Sequence, residues 1–113
     1  MKAITFHAIE TLAYEDAPEP RLRDPGDVIL QVRVAGICGS DLHPYFGREV
    51  GLDRGTVMGH EIVGQVIEAG PEVRDFVPGD VVVVPFTTSC GACYFCRIGL
   101  TARCPEGRFF GWV

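Results

Sequence analysis

Cys90, Cys93, Cys96 and Cys104 form a C-x2-C-x2-C-x7-C run. Four thiolates within fifteen residues are enough to close a tetrahedral zinc shell with no other ligand from the chain. Four-sulfur sites of this kind are structural, because they leave no open position for a substrate. Two disulfides or buried free thiols are the alternatives. The regular spacing, the odd total of five cysteines and the cytosolic character of the chain favour zinc. The ion would supply folding energy to residues 87–107, a Cys-rich lobe with little apolar periodicity. In zinc-finger peptides that energy is on the order of 10 kcal/mol.

A second set of residues lies upstream. Cys38 opens Cys38-Gly39-Ser40-Asp41-Leu42-His43, and Gly59-His60-Glu61 follows. A lone cysteine is usually a small buried hydrophobe, and a lone histidine a satisfied core residue. Together they offer a thiolate and an imidazole at the ends of two elements. Those are two of the three protein ligands of an open, catalytic zinc site. Spacing alone leaves both readings open.

The elements that must position these residues read as β-structure. Val28, Leu30, Val32 and Val34 alternate with Ile29, Gln31 and Arg33 after an Asp24-Pro25-Gly26-Asp27 turn. Met1 to His7 forms an opening strand, and Glu61 to Ala69 another, with Gly64 at a bulge or close contact. Phe76-Val77-Pro78-Gly79-Asp80 turns into Val81 to Val84, a run expected to be buried on both faces. Short strands set apart by proline and glycine turns predict a mainly β barrel or sandwich. Gly39 to Tyr45 reads as a short helical turn, with Ser40 as its cap and Pro44 limiting it. The aromatic segment from Arg108 to Val113 reads as a truncation point or as a strand needing a partner.

Bulk composition narrows the function classes. The chain has 113 residues, 47% of them apolar and 22% charged, which suits one globular domain. The formal net charge is -5 and the ten Lys and Arg are scattered, which argues against nucleic acid as a partner. No apolar stretch is long enough to cross a membrane, and the N-terminus lacks the apolar core of a signal peptide. A cytoplasmic setting follows from these features. Nothing repeats internally, and no low-complexity linker divides the chain.

Four motifs now stand in order: Gly36-Ile37-Cys38-Gly39-Ser40-Asp41-Leu42-His43, Gly59-His60-Glu61, Val77-Pro78-Gly79-Asp80-Val81-Val82, and the Cys90–Cys104 run. In this order and spacing the chain resembles, over essentially its whole length, the N-terminal part of a zinc-dependent alcohol dehydrogenase of the medium-chain dehydrogenase/reductase superfamily. The resemblance implies a GroES-like, partly open β-barrel over residues 1–113, carrying the zinc lobe at about 87–107. It implies Cys38 and His60 as catalytic zinc ligands, with Glu61 the adjacent carboxylate that approaches the metal. Asp41 would orient His60 through its other ring nitrogen. Ser40 would sit beside the bound alcohol oxygen, and His43 would continue a proton relay to solvent. Phe86 would line the substrate pocket, or else be a plain core aromatic; Tyr45 and Phe46 suggest further apolar lining. The implied reaction oxidises an alcohol to an aldehyde or ketone through a zinc-bound alkoxide, with hydride transfer to NAD or NADP.

The resemblance also implies more chain than is present. In relatives the third catalytic ligand, usually Cys or Asp, lies beyond the zinc lobe, and no residue after Cys104 matches it. No G-x-G-x-x-G occurs, so the Rossmann cofactor domain is expected outside these residues. The expectation is a catalytic domain that is inactive alone and belongs to a longer homodimeric or homotetrameric enzyme. Its partners would be that Rossmann domain and a small alcohol or carbonyl substrate. Two other readings compete: a zinc-ribbon-like binding module, and a stand-alone zinc-lobe barrel with a structural or binding role. The second leaves Cys38, Asp41, His60 and Glu61 no reason to converge.

Overall fold

The computed structural model describes residues 1–111; Trp112 and Val113 of the terminal aromatic segment lie outside the described residues. Five strands and a few single-turn helices make a mainly β structure of two open sheets. Strands β1 (Lys2–Ala8) and β2 (Thr11–Asp16) form an antiparallel hairpin. Strand β2 has no counterpart among the strands expected from the sequence. Its run Thr-Leu-Ala-Tyr-Glu-Asp lacks a clear apolar face, and none of its side chains is buried.

Strands β3 (Val28–Ala35), β4 (Ile62–Ala69) and β5 (Val81–Val84) form the second sheet, in the order β3-β4-β5. Val66, 1% exposed, lies on the central strand, and with Ala3 and Thr5 it marks where the interior is closed from solvent. Gly64 sits where β3 passes close. A Cβ there would meet Leu30 Cβ at 3.1 Å and Gln31 O at 3.2 Å, the close contact its place in the strand predicts. Opposite it, β3 is irregular between Val32 and Val34. The bulge breaks the strict alternation read from the sequence, and both valines are exposed.

Strand β5 departs from expectation more sharply. Val82 and Val84 are half-buried, but Val81 and Val83 are 68% and 73% exposed. The four-valine run is thus covered on one face and open on the other. It is an edge strand paired only with β4, so the second layer that would cover its outer face is missing among the described residues.

The helical turn after Cys38 is present but capped differently from expectation. A 3-10 turn at Gly39–Asp41 runs into α1 (Leu42–Tyr45), and the cap position is Cys38 rather than Ser40. The reason is Asp41, whose Oδ2 reaches back to accept from the Cys38 backbone N–H at 2.9 Å. Ser40 is left free to point elsewhere. Pro44 lies inside α1 and is buried. It is still in the first turn, where its missing N–H costs no helical bond.

The lobe after β5 holds α2 (Tyr94–Arg97) and a 3-10 turn at Thr101–Arg103. The aromatic segment finds a partner within the chain. Phe109 bridges to Thr87, and the N–H of Phe110 donates to the carbonyl of Phe86 at 2.8 Å. No helix among the described residues is long and apolar enough to cross a membrane.

Candidate metal centres and the cavity beside His60

The four lobe cysteines converge because the backbone turns around them. The N–H groups of Cys93 and Cys96 point at the sulfurs of Cys90 and Cys93, at 3.4 and 3.5 Å, and the Cys90 N–H points at Cys104 Sγ at 3.4 Å. Cys93 caps α2, so one sulfur serves both the helix and the cluster. All four sulfurs lie within 4.8 Å of one another. Backbone N–H groups of Ala92 and Cys93 pull the Cys90 thiol down to about 7, whereas burial pushes Cys96 up to about 11. N–H groups aimed at sulfur are the surroundings a thiolate needs. A tetrahedral zinc–sulfur shell needs sulfurs about 3.8 Å apart, so small side-chain movements would close it. The cluster fits zinc.

Cys38, His60 and Glu61 form a second group, with one ligand atom from each within 4.8 Å of the others. Cys38 stands at the start of the helical turn after β3, and His60 and Glu61 at the entry to β4. Pairing of β3 with β4 brings these two ends together, and the Gly36 N–H donates to Glu61 O at 2.8 Å. Gly36 has a steric role here. A Cβ on it would lie 2.5 Å from Glu61 Oε2, so the carboxylate occupies the space that a side chain would take.

Asp41 connects the two ligand residues. Its Oδ1 lies 3.1 Å from His60 Nδ1 while its Oδ2 accepts from the Cys38 N–H. An ionised carboxylate only accepts, so the ring proton sits on Nδ1 and Nε2 presents its lone pair. Ser40 Oγ lies 3.2 Å from that Nε2 and donates to it. The imidazole side chain is 12% exposed and held by these two contacts. A thiolate, an imidazole lone pair and a carboxylate facing one point are a borderline-soft donor set that fits zinc. Glu61 supplies the third donor within the described residues.

His43 stands apart from this group. Its side chain is half-exposed, its Nδ1 lies 3.8 Å from Glu49 Oε1, and among the described residues it makes no hydrogen bond to Ser40. A cavity of about 380 Å³ opens beside His60. Phe86 lines it, with its ring 5.0 Å from that of His60 and stacked on Phe109 at 4.9 Å. Tyr45 and Phe46, expected in the lining, pack edge-to-face on each other and are not part of the wall. Leu52, Met58, Phe109 and Phe110 provide the apolar wall instead, and Glu49 adds a carboxylate. Leu52, Met58 and Glu49 did not stand out in the sequence, and Phe109 and Phe110 did so only as part of an aromatic segment, not as cavity lining. The aromatic pair at 109–110 was the one available signal, since such residues are costly to leave in solvent.

The fold and the two clusters define a GroES-like β-domain carrying two sets of metal-ligand type. Residues 24–112 match the alcohol dehydrogenase GroES-like domain, and the chain belongs to that family. It is 44% identical over 111 residues to a medium chain reductase/dehydrogenase of Acremonium sp., covering 98% of this chain and 38% of that protein. It is 43% identical to zinc-type alcohol dehydrogenase B of Aspergillus flavus, covering 98% of this chain and 26% of the relative. The solved alcohol dehydrogenase of Thermus sp. ATN1 superposes with a TM-score of 0.92 at 44% identity, over 99% of this chain and 32% of that structure. The chain thus spans about a third of the length of the relatives it matches.

Proposed function

We propose that residues 1–113 are the catalytic domain of a cytoplasmic, zinc-dependent, NAD(P)-linked alcohol or polyol dehydrogenase. In this reading the domain works with a nucleotide-binding domain in a longer, oligomeric enzyme. The observation that carries it is the convergence of Cys38, His60 and Glu61 beside a largely apolar cavity, with Asp41 behind the imidazole. Family membership and the length of the relatives support it. The five free thiols suit a reducing compartment.

Cys38, His60 and Glu61 would hold the catalytic zinc, and Cys90, Cys93, Cys96 and Cys104 a structural one. When bound, the zinc would supply Lewis acidity toward an alcohol hydroxyl, and NAD or NADP would supply the hydride acceptor. The chain's own residues do the rest. Asp41 keeps the His60 proton on Nδ1, so that Nε2 faces the ligand point. Ser40 Oγ, once freed from Nε2, would accept the alcohol's hydroxyl proton as it hands its own proton to water. His43, on the solvent side of the same turn, passes it on through water. Phe86 and Phe109 shield the reacting carbon from water and favour apolar alcohol bodies.

The test is nicotinamide absorbance over a panel of alcohols, using the longer zinc-loaded enzyme with NAD and with NADP. Alcohol-dependent reduction that is lost in Cys38→Ser and His60→Ala is the expected result. A zinc-replete enzyme that oxidises no alcohol and reduces no aldehyde or ketone would overturn the proposal.

A further inference from the structure

A polar chain that runs from the buried Thr5 to the exposed Arg54 lies away from both metal clusters. Thr5, 2% exposed, donates to Glu15 Oε1 at 2.5 Å, and His7 Nε2 lies 2.7 Å from the same oxygen. On the other side of the ring, Arg54 Nε donates to His7 Nδ1 at 3.2 Å. These contacts select the tautomer of a neutral His7. A guanidinium cannot accept, so Nδ1 carries the lone pair and the ring proton is on Nε2, donated to Glu15. Hydrogen bonds from Thr5 and then His7, together with the charge of Arg54, hold the Glu15 carboxyl below its usual range. Glu15 from β2 and Arg54 from the loop before β4 are the charged groups facing the ring.

The chain of contacts bears on His60 through the backbone. After Arg54, residues 55–58 lie antiparallel along β1, with one β-bridge. The Gly55 N–H donates to Phe6 O at 2.7 Å, the Phe6 N–H to Thr56 O at 2.9 Å and the Met58 N–H to Ile4 O at 2.9 Å. Thr5 bridges to Val57. The segment then leads through Gly59, whose φ of 103° only glycine adopts easily, directly into His60. His7–Arg54 is the side-chain tie at the far end of this pairing.

We infer that His7, Arg54 and Glu15 are positioning residues for His60, forming a clamp that holds the 55–58 segment on β1 while His7 is neutral and loosens when His7 takes a second proton. Protonation places hydrogen on Nδ1, removes the acceptor that Arg54 uses and sets two cations side by side. His7 then turns wholly to Glu15. The inference rests on reading His60 as a zinc ligand.

The experiment uses the purified chain, amide hydrogen exchange and zinc competition with a chromophoric chelator, between about pH 8 and pH 5.5, the range in which histidines change charge. Protection factors at Gly55 and Met58 should fall about tenfold across that range, while those in β4 hold. Affinity for the second zinc should fall with them, by about tenfold more than in His7→Gln. Glutamine offers Arg54 an oxygen and Glu15 an N–H but takes no proton, so His7→Gln should keep the protection at both pH values. Arg54→Met should lower protection and second-site affinity at both, with the four-cysteine site unchanged as the sign of a folded chain. The same pH response in His7→Gln as in the native chain would overturn the inference, as would native protection in Arg54→Met. A native chain that never takes a second zinc would overturn the inference, whereas the proposed function falls only if the longer zinc-loaded enzyme turns over no alcohol, aldehyde or ketone. A second zinc bound equally well by native chain and Arg54→Met would overturn the inference alone.

Discussion

Asp41 Oδ1 lies 3.1 Å from His60 Nδ1, although the two residues sit on separate elements. The other oxygen of the same carboxylate holds the Cys38 N–H. One side chain therefore sets the placement of two proposed ligand residues. Asp41→Asn should lower second-site zinc affinity by about 10–100-fold and leave the four-cysteine site unchanged, since an amide can turn an N–H toward the ring and favour the wrong tautomer. Chelator competition resolves the two affinities. Equal second-site affinity in Asp41→Asn would show that the carboxylate does not set the ring.

Gly36 makes room for the Glu61 carboxylate. Gly36→Ala should move the carboxylate, the flexible end of its side chain, at a stability cost of about 1 kcal/mol or less. Zinc uptake at Cys38 and His60 should weaken much more than thermal stability does. A scan of Tm alongside zinc titration separates the two effects, and a large Tm loss with unchanged zinc binding contradicts this account.

The lobe around Cys90–Cys104 has one buried residue, Cys104 itself, and no apolar core. Chelation of zinc should therefore unfold residues 87–107 while β3 and β4 stay paired. Amide exchange would show protection lost at Cys96 and Leu100 and kept at Val66. Cys93→Ala should reproduce that pattern without chelator, because it removes a ligand and the cap of α2 together.

Glu15 and Asp27 set an acid limit on stability. Hydrogen bonds from Thr5 and then His7 lower the Glu15 carboxyl from its ordinary value of 4.5, and the N–H groups of Asp24 and then Arg23 lower Asp27 from 3.8. A lowered folded-state value means that ionisation favours the folded chain. That stability is complete above the ordinary values and disappears as the pH falls through the lowered ones. Thermal melts should weaken below about pH 4.5, and Glu15→Gln should melt lower at neutral pH with a shallower decline toward acid. An unchanged acid slope in Glu15→Gln would remove Glu15 from the explanation.

Much of this arrangement was legible in the residues, though unevenly. The cysteine cluster was readable from its spacing, whereas the grouping of Cys38 with His60 and Glu61 came from the family resemblance, since spacing alone left it open. Strands β1, β3 and β4 carried clear runs of β-branched residues. Strand β2 did not, since its side chains face solvent or half-buried ground and leave no apolar period. The run Val81–Val84 looked like interior because composition reports hydrophobicity but not how many layers cover a strand. Ser40 looked like a cap by residue type, whereas the cap position is Cys38, whose N–H is held by the Asp41 carboxylate. The cavity wall was hardest to read. Leu52, Met58, Phe109 and Phe110 come from distant segments and meet only through tertiary folding.

Strand β5 has a further consequence for how the chain behaves in solution. An open edge with Val81 and Val83 turned outward is a template on which another chain can add a strand. Two neighbours limit this. Asp80 places a charge at one end, and Pro85, with no N–H to donate, stops the ladder at the other. The sticky edge is thereby kept to four residues, too short to nucleate a stable intermolecular sheet by itself. Replacing Pro85 would lengthen it, and the cost would appear as aggregation at high concentration rather than as a lower melting temperature.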